Sequence, residues 1–507
     1  MSKRKKKNAV TLLSLLFALV VLIGFYVWYS NRSSNSSATE NPPDLLSLAK
    51  VDTTKVNTVH FTNQSADMTL VLDNKEWKSK DEPDRPINQN NVKNMLNLVS
   101  EVRAIKVVNE KPDNLADYGL ATPVETLQVT QADGTTLSIK VGNEAATQNG
   151  YYAQVNDDSK VYLVATTYGN NLNYSVMDMT KVESGPTITA ENITHLDIEQ
   201  KNGNNLDVEN NQNNGLDNSG AGMYSWVMNK PYDGEYTADS SKISELLKKY
   251  AAFNFTSCVD YNAKDLSKYG LSELGASIYV GYNETSTQKL DKPEKDPTTG
   301  QDVTEKTVYT PNEFKIFIGN KDDTGDNYYV RKDGSNAVYT MSTSDVDPML
   351  TYNSFDLLNK FVIIPNITTL NKVDINIGGK SSTMEVTRKT VKDKDGKDTT
   401  ESTYYHNGAA VEEQAFKDVY EVIIGASYDT QITKPVDING VNPVLTLTYH
   451  ITVGNQQKTL SASYLPYDDS FYIVNFDGAK VRFLADKRKI DTIIKTIEEF
   501  KKPTLAQ

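Results

Sequence analysis

The sequence contains nearly the same six residues twice, as LADYGL at 115–120 and LSKYGL at 266–271. The neighbours of the two copies also match, because strand-like segments and a helical segment precede each copy and a hairpin pattern follows it. Repeats of solenoid proteins span only about 20–50 residues, so a unit with this many elements folds as a globular domain. The sequence therefore predicts a tandem array of similar domains.

Apolar spacing places one helix before each copy of the hexapeptide. In both segments the apolar residues fall at i, i+3, i+4 and i+7, which is one face of a helix. The segment after the first copy predicts a hairpin that turns at Asp133 and Gly134. The apolar helix positions are Val92, Met95, Leu96 and Val99 before the first copy, and Ile243, Leu246, Leu247 and Tyr250 before the second.

A third, divergent copy of the unit follows the second. It has the same order of elements, but Gly440 and Val441 replace the Gly-Leu pair and no tyrosine precedes them. Polar insertions at 202–222 and 283–313 distinguish the second copy, and the latter splits its hairpin. We predict an α+β fold in which each repeat is an antiparallel sheet with a packed helix. The predicted repeat units are 51–185, 186–362 and 363–501, followed by a tail at 502–507.

The repeated hexapeptide is interpreted as a connector of the fold. The charge within it changes from Asp117 to Lys268, so no fixed charge is required there. Its apolar residues are spaced to hold a short helical turn against the core, and its glycine suits a left-handed exit from that turn. The residues of this structural motif are Leu115, Tyr118, Gly119 and Leu120 in the first copy, and Leu266, Tyr269, Gly270 and Leu271 in the second.

The N-terminal region predicts a membrane anchor. Residues 10–29 contain no charge, and twenty residues at 1.5 Å each span the roughly 30 Å apolar core of a bilayer. Five basic residues in the tail 1–9 orient that tail to the cytoplasm, which places the rest of the chain outside. The predicted protein is therefore single-pass in the cell membrane, with a flexible tether at 30–50. The alternative is a cleaved signal peptide, whose apolar region is normally shorter.

Charge and cysteine content exclude several classes of protein. The net charge is −13 although the N-terminus is basic, so the bulk is acidic and unsuited to nucleic acid. The single cysteine, Cys258, lies in an apolar run, and one cysteine forms neither an intramolecular disulfide nor a cysteine-ligated zinc site.

The sequence offers no pattern that predicts catalysis. The four histidines are scattered, H-E-x-x-H and G-x-S-x-G are absent, and clustered aspartates lie where solvated turns are expected. His60 and His195 occupy equivalent first strands, which favours a structural place for both. We therefore predict a non-enzymatic protein with no catalytic residue, no metal and no cofactor.

Three pairs of adjacent aromatic residues are the remaining candidates for a binding site. Neighbouring side chains of a strand point to opposite faces, so one ring of each pair is expected to be buried and the other exposed. The exposed rings could form a platform for a glycan, while cross-strand packing is the simpler interpretation. The pairs are Tyr151 and Tyr152, Tyr328 and Tyr329, and Phe471 and Tyr472.

Several of these segments together carry a family resemblance. EWKSKDEPDRPINQNNVKNMLNLVSEV, LADYGLATP, LSIKVGN, GYYAQV and KVYLV follow an N-terminal anchor, and in this the chain resembles the bacterial family catalogued as domain of unknown function 4340. The resemblance implies a membrane-anchored extracytoplasmic protein, encoded beside ABC-transporter permeases and ATPases. It supplies no catalytic residues. The expected function is an auxiliary or scaffold role in an ABC-transporter complex at the cell envelope, and the alternative is an array of modules that bind cell-wall or other envelope glycan.

Overall fold

The computed structural model describes most of the chain and resolves it into two compact units. The first unit ends at Lys181 and the second begins at Val182. The described part is mostly β, with three antiparallel sheets of nine strands each and few helices. The described residues are 45–156, 158–183, 185–210, 226–232, 236–273, 275–296, 299–432, 434–453, 455–476 and 482–500.

The first unit contains one sheet, in the order β1-β5-β9-β8-β7-β6-β2-β3-β4. Its strands are β1 (Leu46–Lys50), β2 (Val56–Thr62), β3 (Asp67–Asp73), β4 (Glu76–Ser79), β5 (Glu101–Asn109), β6 (Glu125–Gln131), β7 (Thr136–Glu144), β8 (Tyr151–Val155) and β9 (Val161–Val164). Its helices are α1 (Gln89–Ser100) and the single turn α2 (Thr167–Asn170).

The helix α1 is specified by its cap and its apolar face. The side chain of Asn88 accepts hydrogen bonds from the backbone N–H groups of Asn90 and Asn91, which satisfies two donors that the first turn leaves free. One face of the helix is apolar, and its side chains are buried in the core under the sheet. The buried side chains are Val92, Met95, Leu98 and Val99.

The second unit contains the other two sheets, and the first of these has the order β13-β12-β11-β10-β15-β16-β17-β18-β14. Its strands are β10 (Ile193–Gln200), β11 (Leu206–Asn210), β12 (Trp226–Lys230), β13 (Tyr236–Thr237), β14 (Ser257–Asp260), β15 (Ala276–Lys295), β16 (Asp302–Lys321), β17 (Asn327–Lys332) and β18 (Val338–Ser342). The helices here are α3 (Ser240–Leu247), α4 (Thr343–Leu350) and α5 (Ser354–Leu357).

The last sheet has the order β22-β21-β20-β19-β24-β25-β26-β27-β23. Its strands are β19 (Leu370–Ile377), β20 (Lys380–Lys392), β21 (Asp398–His406), β22 (Ala409–Val411), β23 (Thr430–Gln431), β24 (Leu445–Val453), β25 (Gln456–Pro466), β26 (Phe471–Phe476) and β27 (Phe483–Asp486). Its helices are α6 (Glu413–Ile424) and α7 (Lys487–Glu499).

The three sheets repeat one strand order. Eight strands of the first sheet follow one another as β5-β9-β8-β7-β6-β2-β3-β4. The corresponding runs are β14-β18-β17-β16-β15-β10-β11-β12 and β23-β27-β26-β25-β24-β19-β20-β21. The ninth strand differs, because β1 extends the first sheet at one edge while β13 and β22 extend the others at the opposite edge. Tandem repetition is therefore a property of the topology as well as of the sequence.

The two sheets of the second unit share one continuous apolar core. Aromatic rings from both sheets meet around Phe483, whose centroid lies 5.0 Å from that of Tyr232 and 4.6 Å from that of Tyr428. The side-chain amide of Gln431 donates a 2.8 Å hydrogen bond to the Tyr232 hydroxyl. These contacts join the second and third repeats through buried side chains.

Three segments differ from the sequence prediction. Residues 206–210, assigned to the polar insertion 202–222, form β11, because their backbone pairs with β10 and β12. Residues 46–50, assigned to the tether, form the edge strand β1, because their backbone pairs with β5. The insertion 283–313 lengthens β15 and β16 instead of forming a loop, since its residues pair from Asn283 with Pro311 to Lys295 with Asp302.

The predicted cytoplasmic tail, membrane segment and C-terminal tail lie outside the described residues. None of the helices within the described ranges combines the length and the apolar character needed to span a bilayer.

Candidate functional site

The repeated hexapeptide forms a short turn with a left-handed exit in both repeats. Leu115–Tyr118 is a 3-10 turn that ends at Gly119, where φ is 70°. Ser267–Tyr269 is the matching turn, and Gly270 ends it with φ at 68°. Glycine adopts this conformation without the steric cost that a side chain would add.

Each turn lies against a second glycine on the neighbouring hairpin. A Cβ on Gly142 would stand 2.1 Å from the carbonyl oxygen of Tyr118, and one on Gly319 would stand 2.1 Å from that of Tyr269. Such a distance is far inside van der Waals contact, so only glycine fits at either position. We call this backbone-to-backbone approach the glycine contact; its sequence signal is the G-N pair of LSIKVGN and FKIFIGN.

The motif tyrosines meet one member of each predicted aromatic pair. Tyr118 packs edge-to-face on Tyr152 with ring centroids 5.1 Å apart, and Tyr269 packs on Tyr329 at 5.0 Å. Edge-to-face pairs of this kind add about 0.5–1.5 kcal/mol beyond the burial of area. The structure therefore brings together two features that the sequence presented separately.

The other members of the aromatic pairs also pack within the fold. The Tyr328 hydroxyl donates a 2.8 Å hydrogen bond to Asp347, and burial together with this bond raises the pKa of Tyr328 to about 12. Tyr472 is buried and donates a 2.8 Å bond to Asp491, while Phe471 packs on an apolar cluster around Leu465. The remaining ring, Tyr151, lies against Gly169 of α2. Tyr472 is buried and the other five rings are half-buried, which differs from the expected one buried and one exposed ring in each pair.

Each sheet carries a cross-strand histidine–aspartate pair. His60 lies 2.9 Å from Asp67, His195 lies 3.0 Å from Asp207, and His450 lies 2.7 Å from Asp374. The sequence indicated a structural place for the first two histidines but missed the acidic partners. The available signal was an aspartate on the neighbouring strand, but recognising it requires the pairing register of the two strands.

The pair on the second sheet belongs to a larger polar network. The ring of His195 meets that of Tyr279 edge-to-face at 5.2 Å, and the Tyr279 hydroxyl donates a 3.1 Å bond to Glu313. Gly281 makes room for this arrangement, because a Cβ there would lie 3.2 Å from the Cβ of His195. The hydrogen bond to Asp207 raises the pKa of His195 against the opposing effect of burial.

A hollow of about 700 Å³ opens beside this network, between the end of β17 and the neighbouring part of β16. Charged residues of both signs line it, and one of them, Lys332, pairs with Glu183 at 2.5 Å. This mixture of charges suits binding of a polar surface and arranges no nucleophile beside a base. The lining residues are Gly185, Pro186, Tyr279, Glu313, Phe314, Lys315, Lys332 and Asp333.

Two further titratable residues, Cys258 and Glu125, are buried in the fold. Cys258 lies in the apolar core of the second unit. Glu125 at the start of β6 is buried, and its Oε2 has no hydrogen-bond partner among the described residues. Burial raises the pKa of Glu125 to about 7. In the described ranges no three His, Cys, Asp or Glu side chains converge in a way that could hold a metal ion.

Fold and motif together define a class of protein built from tandem antiparallel-sheet repeats. The family described as Domain of unknown function (DUF4340) matches residues 77–273 and 226–427, which is more than half of the chain. The chain belongs to this family. No curated protein and no solved structure matches the chain.

Proposed function

We propose that this protein is a membrane-anchored, extracytoplasmic and non-enzymatic protein that acts as an auxiliary or scaffold component of an ABC-transporter complex. The observation that carries the proposal is the extension of β15 and β16 beyond their sheet. The extension comprises residues 283–313 and is called the β-arm below. It is well formed by backbone pairing and yet contributes nothing to the core of its own repeat.

The β-arm is a two-stranded ribbon that no other described residue covers. None of its described residues is buried, and Tyr309 is 61% exposed. A lone ribbon of this kind is marginally stable in water, and in the described part of the chain no further strand pairs with its outer backbone edges. An arm that adds little to the stability of its own sheet and presents two such edges fits a role in contacting a partner.

Sequence features support the identity of that partner. The uncharged segment 10–29, flanked by basic residues, predicts an anchor that holds the repeats beside membrane proteins. The family resemblance implies proximity to permeases and ATPases. Three linked sheets anchored to one membrane would also raise their effective concentration at a transporter surface.

The alternative, an array of glycan-binding modules, predicted exposed aromatic rings aligned on all three repeats. The paired aromatic residues instead pack against the hexapeptide, against α2 or against neighbouring carboxylates. The aromatic pairs therefore do not favour the array.

Shortening the β-arm tests the proposal. Residues 287–307 are replaced by Asn-Gly, which joins the paired residues Ser286 and Val308 by a two-residue turn. The matched control shortens the other long hairpin, replacing residues 390–400 between the paired Lys389 and Glu401. Each full-length variant is purified from crosslinked native membranes, and the proteins recovered with it are identified by mass spectrometry.

We expect the unaltered protein and the control variant to recover a permease or an ATPase, and the β-arm variant to lose at least nine-tenths of it. Recovery of no transporter subunit with the unaltered protein would contradict the transporter role. Equal recovery with both variants would contradict the role of the β-arm.

A further inference from the structure

A second hollow, of about 640 Å³, lies at the base of the β-arm. It is bounded on one side by the turn before β10 and the first residues of that strand, and on the other by the arm itself. Its side chains are small and polar apart from one ring and Ile193, which is buried. The remaining lining residues are Glu191, Asn192, Thr194, Asn210, Asn283 and Tyr309.

One of the insertions that distinguish the second repeat contributes to this hollow. Asn283 and Tyr309 belong to the insertion 283–313, whereas Asn210 ends β11, a strand that has counterparts in the other two sheets. A register shift between Ile193 and His195 places Thr194 in a bulge at the same point. The other two sheets have the same shift, between Val56 and Thr58 and between Leu370 and Lys372, so the bulge belongs to the repeated fold. The insertion 283–313 thus meets elements shared by all three repeats at one polar cavity.

Three polar side chains of the hollow are available to a ligand. Within the described residues, the side chains of Asn192, Thr194 and Asn283 make no hydrogen bond. Other asparagines of the fold are used internally, as Asn88 caps α1 and Asn109 donates to the Tyr118 hydroxyl. A free carboxamide offers two donors and an acceptor in one plane. Such a group can bond a pair of neighbouring hydroxyls at once.

Charge and the exposed ring define the class of ligand. The described lining residues include one carboxylate, Glu191, and neither lysine nor arginine, so a phosphate or another anion would be repelled. Tyr309 presents a ring that is 61% exposed and can pack on the apolar face of a pyranose. We propose that this hollow is a binding site for a neutral oligosaccharide, with the carboxamides of Asn192 and Asn283 bonding its hydroxyls and Tyr309 stacking on one sugar ring.

This site differs from an array of modules, because only the second repeat has the insertion 283–313 that supplies Asn283 and Tyr309. It is also separable from the transporter role. The arm-shortening variant described above keeps Asn283 and Tyr309, so loss of a protein partner leaves these two residues in place.

Calorimetric titration of the full-length protein in detergent tests the site. The probes are chitotetraose, cellotetraose and maltotetraose, with tetragalacturonic acid as the anionic comparison. We expect at least one neutral tetrasaccharide to bind and the anionic one to bind at least tenfold more weakly. Asn283→Ala and Tyr309→Ala should each weaken binding at least tenfold.

Two control variants separate the ring from the fold. Tyr309→Phe retains the stacking surface and should bind within threefold of the unaltered protein. Tyr467→Ala removes a comparably exposed tyrosine, 43% exposed, in the third repeat and should change nothing. Absence of binding to all three neutral probes overturns the proposal. So does binding that survives both alanine variants of the hollow, or tighter binding of the anionic probe.

Discussion

The first two repeats and the third pack the equivalent corner of their sheets in different ways. The position of Gly142 and Gly319 is taken by Leu465 in the third repeat, as the pairing of β6, β15 and β24 with their hairpin partners establishes. Leu465 is buried among Ile473 and Leu484. Gly440 of the third repeat keeps a φ of 76°, but a Cβ there would meet nothing within 4 Å.

The difference separates what the topology needs from what two copies happen to share. The strand order is retained without the glycine contact and without the motif tyrosine, so neither is required to specify the sheet. A small apolar cluster replaces a close backbone approach. The hexapeptide is one of two local solutions to a corner that the surrounding ladder of hydrogen bonds already defines.

The largest expected effect comes from filling the glycine contact. Gly319→Ala places a Cβ 2.1 Å from a backbone oxygen that cannot move aside as a side chain would. We expect a loss of at least about 3 kcal/mol in the free energy of unfolding, at the upper end of overpacking costs. Urea unfolding followed by fluorescence, with Trp226 buried in the same sheet, measures it. A loss below about 1 kcal/mol would mean that the contact is looser than described.

Removing the motif tyrosine should cost somewhat less. Tyr269→Ala deletes a buried ring and its packing on Tyr329, and we expect the free energy of unfolding to fall by about 2 kcal/mol. Tyr118→Ala should act in the same direction and more weakly, because Tyr118 is only half-buried. Thermal unfolding and recovery of partners are measured on the same variants. Unchanged melting with loss of a partner would assign the motif a direct binding role.

Importing a residue from the third repeat should stabilise the first unit. Glu125 occupies the position of Leu445, and its folded-state pKa of about 7 lies above the ordinary value of 4.5. The folded state therefore binds the proton more tightly, and stability falls as the pH rises from about 4.5 to 7. Glu125→Leu should have a higher free energy of unfolding than the unaltered protein. This advantage should be about 1–2 kcal/mol larger at pH 8 than at pH 4.5. A variant whose advantage is the same at both pH values would refute the buried-carboxylate explanation.

The smallest effect is expected where a left-handed glycine faces open space. Gly440→Ala introduces only the conformational strain of a positive φ, so we expect a loss of about 1 kcal/mol. Gly119→Ala adds a clash with the side chain of Asn143 at 2.4 Å and should cost more. The difference between their losses in the free energy of unfolding, each obtained with the denaturant slope of its own compact unit, isolates the contact from the strain. Equal losses would show that strain alone governs both positions.

Much of the repeat architecture could be predicted from local patterns. The hairpin at Asp133 and Gly134 and the helices α1 and α3 follow from turn chemistry and from apolar spacing. Sequence similarity between copies extended the same order of elements to the third repeat, where α6 lies between its first strands and its later hairpin. Local periodicity is informative here because each element buries only one face.

Long-range pairing set the limit of prediction. The polar insertion 283–313 has the composition of a loop, yet backbone pairing continues β15 and β16 through it, with one register shift between Lys289 and Glu294. The strand β1 is similarly specified by its partner β5 and by little in its own sequence. The hollow at the base of the β-arm combines a bulge in β10 with residues of the distant insertion 283–313. The sequence contains the G-N pair of Gly142 in two repeats, but it gave no indication that this glycine contacts the tyrosine turn.

The aromatic cluster around Phe483 has a consequence for dissecting the protein. Since rings of the second and third repeats interlock there, a fragment that ends between them would carry Tyr232 and Tyr236 as newly wetted apolar surface. Such a fragment is expected to aggregate, whereas a cut near Lys181 follows the boundary between the compact units. In the second unit, a single sequence repeat is therefore too short to be expressed separately. The smallest suitable fragment contains both repeats.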